Sequence, residues 1–287
     1  MDDVKSRIRA KPSDETFAWV CEAVGAGARI DSWMVAQGGS ACAIHAIDVV
    51  DAGGGRHPLI LKRFFRQEWL AEDPSAGACD LPAVLMTRLP GRAVLLPDDL
   101  DGWLREVAEP LVLLHAIADP CARHLEPYRH YGDPHAVPRP PWTKRPDVWE
   151  TVATRLADAA PPHESGFVHR DYHPTNLLWL QGRVSAVLDF MDSSYGPREV
   201  DLAHCRINLA QLHGPDAADR FLEIYGELRG EGFAMHPHWD LVGFLNVLPG
   251  PRGVYWGWTN LGVRHLTDAL CGSRLDEHAA RVVARLA

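Results

Sequence analysis

His169-Arg170-Asp171-Tyr172-His173-Pro174-Thr175-Asn176, an apolar hairpin that opens with Leu177-Leu178-Trp179-Leu180, and then Val187-Leu188-Asp189-Phe190 form the most informative stretch of this chain. The H-x-D-x-x-x-x-N spacing sets Asp171 where an acceptor hydroxyl can lose its proton and Asn176 where an amide oxygen can reach a metal, and Asp189 adds a second metal ligand after a strand. Three polar side chains then converge on one phosphoryl group, which reads as a site for ATP and Mg²⁺.

The frame around this stretch is that of a globular enzyme. A chain of 287 residues with 46% apolar residues is long enough for two lobes, since chains of this size bury roughly 75% of the surface they expose when unfolded. The opening Met1-Asp2-Asp3-Val4-Lys5-Ser6-Arg7 is too polar for a signal peptide, and no apolar run approaches the ~20 residues of a membrane span. A cytoplasmic protein without a membrane partner is expected. The cysteines (Cys21, Cys42, Cys79, Cys121, Cys205, Cys271) lie far apart with no C-x-x-C pair, which argues against a structural zinc site and a disulfide framework. A net charge of -9 disfavours a general nucleic-acid binder and is compatible with a cationic small substrate.

Residues 1–90 read as strands and turns. Ile30 to Ala36, Ala43 to Val50 and Pro58 to Phe65 are apolar or β-branched runs separated by Gln37-Gly38-Gly39-Ser40 and Asp51-Ala52-Gly53-Gly54-Gly55, which predicts three antiparallel strands. A fourth run, Leu81 to Leu89, ends at Pro90-Gly91, where a hinge is expected. Beyond Pro97 the period becomes helical: Leu100, Trp103, Leu104, Val107, Leu111 and Leu114 mark one helix that Pro110 should kink, and Val148 to Leu156, Phe221 to Leu228 and Leu275 to Leu286 mark others. Asp119 to Arg145, rich in Pro, His and Arg, predicts an irregular connection.

Two residues outside the main stretch bear on phosphate binding. Lys62 stands inside the apolar strand Leu59-Ile60-Leu61-Lys62-Arg63-Phe64, where a cation is costly without an anion. Gly38-Gly39-Ser40 could bring backbone N–H groups to phosphates, although such turns commonly just join strands. A different chemistry stays open for the string His169, Asp171, His173, whose H-x-D-x-H pattern can bind a transition metal for hydrolysis.

From about Ile30 to about Ala210 the order of features resembles the aminoglycoside phosphotransferase family of small-molecule kinases, most specifically in Val168 to Leu178, Val187 to Phe190, Gly196 and Asp201-Leu202-Ala203. The resemblance implies an α+β, two-lobed, protein-kinase-like fold: a small antiparallel nucleotide-binding lobe over 1–90 and a larger, mainly helical catalytic lobe with a β-hairpin over 91–287. It implies Asp171 as the catalytic carboxylate, Asn176 and Asp189 as Mg²⁺ ligands, Lys62 on nucleotide phosphates, and adenine paired with backbone near Thr87, Arg88 and Leu89. His169 then braces the loop, and Asp201 anchors it, where a plain helix N-cap would serve almost as well. Only Phe190 to Val200 separates Asp189 from Asp201, too short for a phosphorylated activation segment, so the expected acceptor is a hydroxyl of a small molecule.

The chain departs from this family between Lys62 and Thr87. The family places there a helix whose glutamate pairs with the lysine; here only Glu68-Trp69-Leu70-Ala71-Glu72 offers a turn or two before Asp73-Pro74-Ser75-Ala76-Gly77 stops it. A shortened or missing helix predicts a reshaped ATP site and an uncovered sheet face that is a candidate homodimer surface. It also keeps a second function class in view, a kinase-shaped ligand-binding protein with weak or lost turnover. Trp142, Trp149, Trp239, Tyr255, Trp256 and Trp258 suit either an aromatic acceptor pocket or core.

Overall fold

The apolar runs before residue 90 become four antiparallel strands in the order β1-β2-β3-β4: β1 (Arg29–Val35), β2 (Cys42–Val50), β3 (Arg56–Phe64) and β4 (Ala83–Thr87). The computed structural model of the chain describes residues 10–36, 42–65, 73–117, 124–248, 250 and 253–286. It divides into two compact units, Met1–Pro90 and Gly91–Ala287. The β2–β3 hairpin is closed by Asp51, whose carboxylate accepts from the N–H groups of Gly53 and Gly55 at 2.9 and 2.8 Å.

Side-chain alternation assigns the two faces of this sheet. Ile47, Val49, Leu59, Leu61, Ala83 and Leu85 share one face and pack with Val20, Phe17, Trp19 and Val24 of α1 (Asp14–Val24). The other face carries Ile44, Ala46, Ile60, Lys62, Val84 and Met86, which follow from the pairings Ile44↔Lys62, Ala46↔Ile60, Ile60↔Met86 and Lys62↔Val84. Polar bonds fasten the start of α1: Thr16 Oγ1 donates to Asp80 at 2.8 Å, and buried Arg63 donates to Asp80 and to the carbonyl of Ala10.

Here the strand-and-turn reading of residues 1–90 needs correction. It contains no helix before Ile30, yet α1 lies there and covers one sheet face, the one opposite Lys62. Glu68 and Glu72, with the rest of 66–72, and Gly38, Gly39 and Ser40 fall outside the described residues. After them, Asp73 closes a tight turn by accepting from Ser75 and Gly77, as its composition predicts.

In the second unit the elements run α2 (Leu100–His115), α3 (Pro146–Leu156), β5 (Ser165–Val168), β6 (Leu177–Leu180), β7 (Arg183–Val187), β8 (Ser194–Pro197), α4 (Glu199–His213), α5 (Pro215–Arg229), α6 (Pro237–Phe244), α7 (Trp256–Asn260) and α8 (Asp268–Ala284). β6 pairs with β7, and β5 with β8. Pro110 lies within α2 without ending it; the one backbone bond that proline removes is outweighed by buried Trp103, Leu104, Val107 and Leu111 on the helix's inner face. Residues 124–145 contain no α-helix or extended strand, as expected.

Helix α4 is the axis of this unit, buried nearly all round between α5, α6 and α8. Its fully buried Arg206 donates to Asp240 of α6 at 2.8 Å, to Asp219 of α5 at 3.1 Å and to the Ala218 carbonyl at 2.6 Å, and Arg285 also reaches Asp240. The aromatic residues are mostly core. Trp149, Trp239 and Trp258 are buried, and Trp149 donates to buried Asp276 at 2.7 Å, so these three do not line an acceptor pocket.

Asp240→Ala should remove the fully buried partner of the Arg206 cation, leaving it only the half-buried Asp219, and lower unfolding stability by about 3 kcal/mol in a urea titration. Acid should act through histidines. Burial, helped by Arg63 and Arg206 respectively, pushes His45 and His278 down to about 4 from 6.5. Between those values the unfolded chain binds protons that the folded one refuses, so stability should fall as pH drops from 6.5 to about 4, by on the order of 1 kcal/mol per pH unit for each histidine. A flat melting temperature across that window would contradict the assignment.

Candidate active site

The loop between β5 and β6 is held from three sides. Tyr172 is buried and its hydroxyl donates to the Val107 carbonyl of α2 at 2.6 Å. From α4, the fully buried Asp201 carboxylate accepts from the backbone N–H of His169 at 2.8 Å and of Arg170 at 2.6 Å, while His115 Nε2 lies 3.2 Å away. His115 is itself steadied by the Tyr225 hydroxyl at 2.7 Å. Asp201 is thus not the N-cap of its helix, a place taken by Arg198; it spends its lone pairs on the loop instead. Arg170 adopts a left-handed backbone (φ 72), a strained state for a side-chain-bearing residue, and is held there by the bond to Asp201, by its guanidinium on the Arg129 carbonyl at 2.7 Å and by the Tyr131 ring 4.3 Å away.

The β6–β7 register brings the far end of the motif back. Leu177 pairs with Val187, so Leu188 stands opposite Asn176, and its N–H donates to the Asn176 carbonyl at 2.8 Å. Asp189 follows immediately, also left-handed at φ 65. His169 bridges the two halves: its Nε2 donates to the Leu188 carbonyl at 2.9 Å and its Nδ1 accepts from the Asp171 N–H at 3.3 Å. Burial lowers its pKa, which favours the neutral ring this pattern requires. Both His169 nitrogens serve the backbone, so the metal-binding string His169, Asp171, His173 is not assembled.

Asp171 sits at the centre. Asn176 Nδ2 donates both to its backbone carbonyl and to its Oδ2, each at 2.9 Å, which leaves the amide oxygen of Asn176 as a hard ligand beside a fixed carboxylate. Its other oxygen, Oδ1, lies 3.2 Å from His204 Nε2 and 3.7 Å from His173 Nε2. Burial alone pushes the Asp171 carboxyl up, but His173 and His204 outweigh burial and hold the group well below the usual carboxylate range. A carboxylate whose ionised form is favoured in this way is a weak base, suited to taking a proton late. His204 in turn contacts Asn246 Nδ2 at 2.9 Å through Nδ1.

The sequence from residue 28 to residue 240 matches the phosphotransferase enzyme family. The chain belongs to that family. Solved structures of similar fold include the macrolide 2'-phosphotransferase MphH from Brachybacterium faecium (16% identity, 94% of this chain and 98% of that one, TM-score 0.54). Others are the aminoglycoside phosphotransferase APH(4)-Ia (16%, 95% and 99%, 0.56) and amicoumacin kinase hAmiN in complex with AMP-PNP, Ca²⁺ and Ami (13%, 99% and 96%, 0.55). Comparison with curated proteins finds no match.

In this phosphotransferase the first unit holds the remaining sequence candidates. Lys62 is buried on β3, on the sheet face opposite α1, with its Nζ 5.6 Å from the Phe64 ring. Thr87 ends β4, and the Arg88 N–H donates to the Pro58 carbonyl at 3.0 Å while its guanidinium reaches Asp48 at 2.6 Å, so that amide is not available to a base. His204, His115 and Asn246 are absent from the sequence reading. His204 was the most reachable of them, because the i, i+3 spacing from Asp201 sets both on one face of a helix.

Asp201→Ala should leave two backbone N–H groups and His115 without their acceptor, costing about 3 kcal/mol or more at ~1–3 kcal/mol per buried donor. Chemical denaturation of the purified variant measures it, and a change below 1 kcal/mol would contradict the anchoring role.

Proposed function

We propose that this phosphotransferase moves the γ-phosphoryl group of Mg²⁺-bound ATP to a hydroxyl of a small molecule. The observation that carries the reading is the clamp of Asn176 on Asp171, with Leu188 bonded to Asn176 so that Asp189 follows beside it. The all-oxygen pair Asn176 and Asp189 suits Mg²⁺, which when bound neutralises charge on the transferring phosphates.

Asp171 holds the acceptor hydroxyl in line and takes its proton as the new bond to phosphorus forms. Its low basicity makes that transfer late, when the hydroxyl oxygen has already become acidic. Asn176 fixes the carboxylate's direction, and His169 keeps the Asp171 and Leu188 backbones in register. Lys62, on the strand face left open by α1, is the candidate for the nucleotide phosphates, with Thr87 and Leu89 for the base. For a small acceptor the support is the span after Asp189: a short turn at Phe190–Asp192, then β8 paired to β5, then α4, with no length left for an activation segment. The fold is also shared with an enzyme whose ternary complex holds AMP-PNP and hygromycin B. Antibiotics, amino alcohols and sugars fit the reading equally.

Acceptor-dependent ADP release across a panel of those classes tests it. Asp171→Ala should lower kcat by about 10²–10⁴ while leaving nucleotide binding largely intact. A wild-type protein that binds ATP yet turns over no acceptor would support a ligand-binding role instead.

A further inference from the structure

Around Asp171 the side chains offer more than a brace. Asp171, His173 and His204 each offer one ligand atom within 4.8 Å of the others, and Asp171 Oδ1 lies 3.2 Å from His204 Nε2 and 3.7 Å from His173 Nε2. Zinc held tetrahedrally by nitrogen and oxygen at about 2.0–2.1 Å spaces its ligand atoms about 3.3 Å apart, close to both edges.

His173 supplies an independent sign. It is 7% exposed, its Nδ1 is buried with no hydrogen-bond partner among the described residues, and its Nε2 is too far from Asp171 to hydrogen-bond. A buried imidazole thus presents Nε2 to a carboxylate oxygen at 3.7 Å, a separation that two ligands of one ion can have. His204 is backed at Nδ1 by Asn246 at 2.9 Å, and an amide can turn either its nitrogen or its oxygen to such a contact. Without an ion Nε2–H faces Asp171; when an ion displaces that proton, the Asn246 oxygen can turn in to accept from Nδ1–H, the arrangement of a metal-binding histidine with its supporting partner. Two imidazoles and one carboxylate suit a borderline ion, unlike the all-oxygen pair Asn176 and Asp189.

We propose that Asp171, His173 and His204 form a three-ligand site for a zinc-class divalent ion. It differs from the string legible along the chain by exchanging His169 for His204, and it leaves a fourth position open to water. A bound ion occupies the carboxylate lone pair that would accept the hydroxyl proton, so it inhibits phosphoryl transfer. That consequence rests on Asp171 acting as proton acceptor; the binding itself does not.

Co²⁺, which takes zinc sites and absorbs in the visible when bound by few ligands, is titrated into the full chain. The expected result is a saturable ligand-field band, displaced by Zn²⁺ but not by excess Mg²⁺. Affinity should fall by about 100-fold or more in His204→Ala and in His173→Ala, by about 10–100-fold in Asn246→Ala, and not at all in the exposed control His163→Ala. Circular dichroism establishes that each variant is folded; because His173 lies on the loop and His204 on α4, one variant remains informative if the other fails to fold. Equal Co²⁺ affinity in the wild type and in a folded His173 or His204 variant overturns the site. In parallel, Zn²⁺ should suppress ADP release at saturating Mg-ATP. Absence of ADP release under any condition would sink the phosphotransfer reading and leave the Co²⁺ result to stand on its own.

Discussion

A carboxylate with no access to water must be surrounded by donors, and Asp201 meets that requirement by drawing in the loop between β5 and β6. The N–H groups of His169 and Arg170 and the ring of His115 all turn toward it. Because burying an ion without partners costs several kcal/mol, the loop has no cheaper conformation while α4 stays packed. The strained backbone at Arg170 is tolerable for the same reason: the bonds to Asp201 over-determine it.

The same helix acts on the site a second time. One turn beyond Asp201, His204 leaves the same face and reaches Asp171. Helix α4 therefore fixes both the backbone of the loop and the electrostatic state of its central carboxylate. The ionic cluster of Arg206 with Asp240 and Asp219 holds that helix against α5 and α6, which ties the geometry of the site to the core of the second unit.

Legibility followed the range of the forces. The strands of the first unit were readable because period-2 alternation and Gly-rich turns act between near neighbours. The register that sets Asn176 beside Leu188 was implicit in a hairpin for the same reason. Helix α1 is absent from the sequence reading because Trp19 and Cys21 blur the stripe made by Phe17, Val20 and Val24; only the sheet they cover marks which side is the core face. Pro110 lies inside α2, and burial of one face of the helix carries it through that position. The tryptophans could not be sorted from sequence, since a ring that fills core and a ring that lines a pocket have the same composition.

What the sequence by itself determined is the local layout of His169 to Asp189 and the short span to Asp201, because a loop, a hairpin and a short turn leave contiguous residues little freedom. Tertiary structure alone decided which groups surround that motif: Asp201 as a loop acceptor rather than a cap, His115 behind it, His204 in place of His169 beside Asp171, and α1 on the sheet. These residues come from segments far apart in the chain, and their meeting is set by how helices pack rather than by any local pattern.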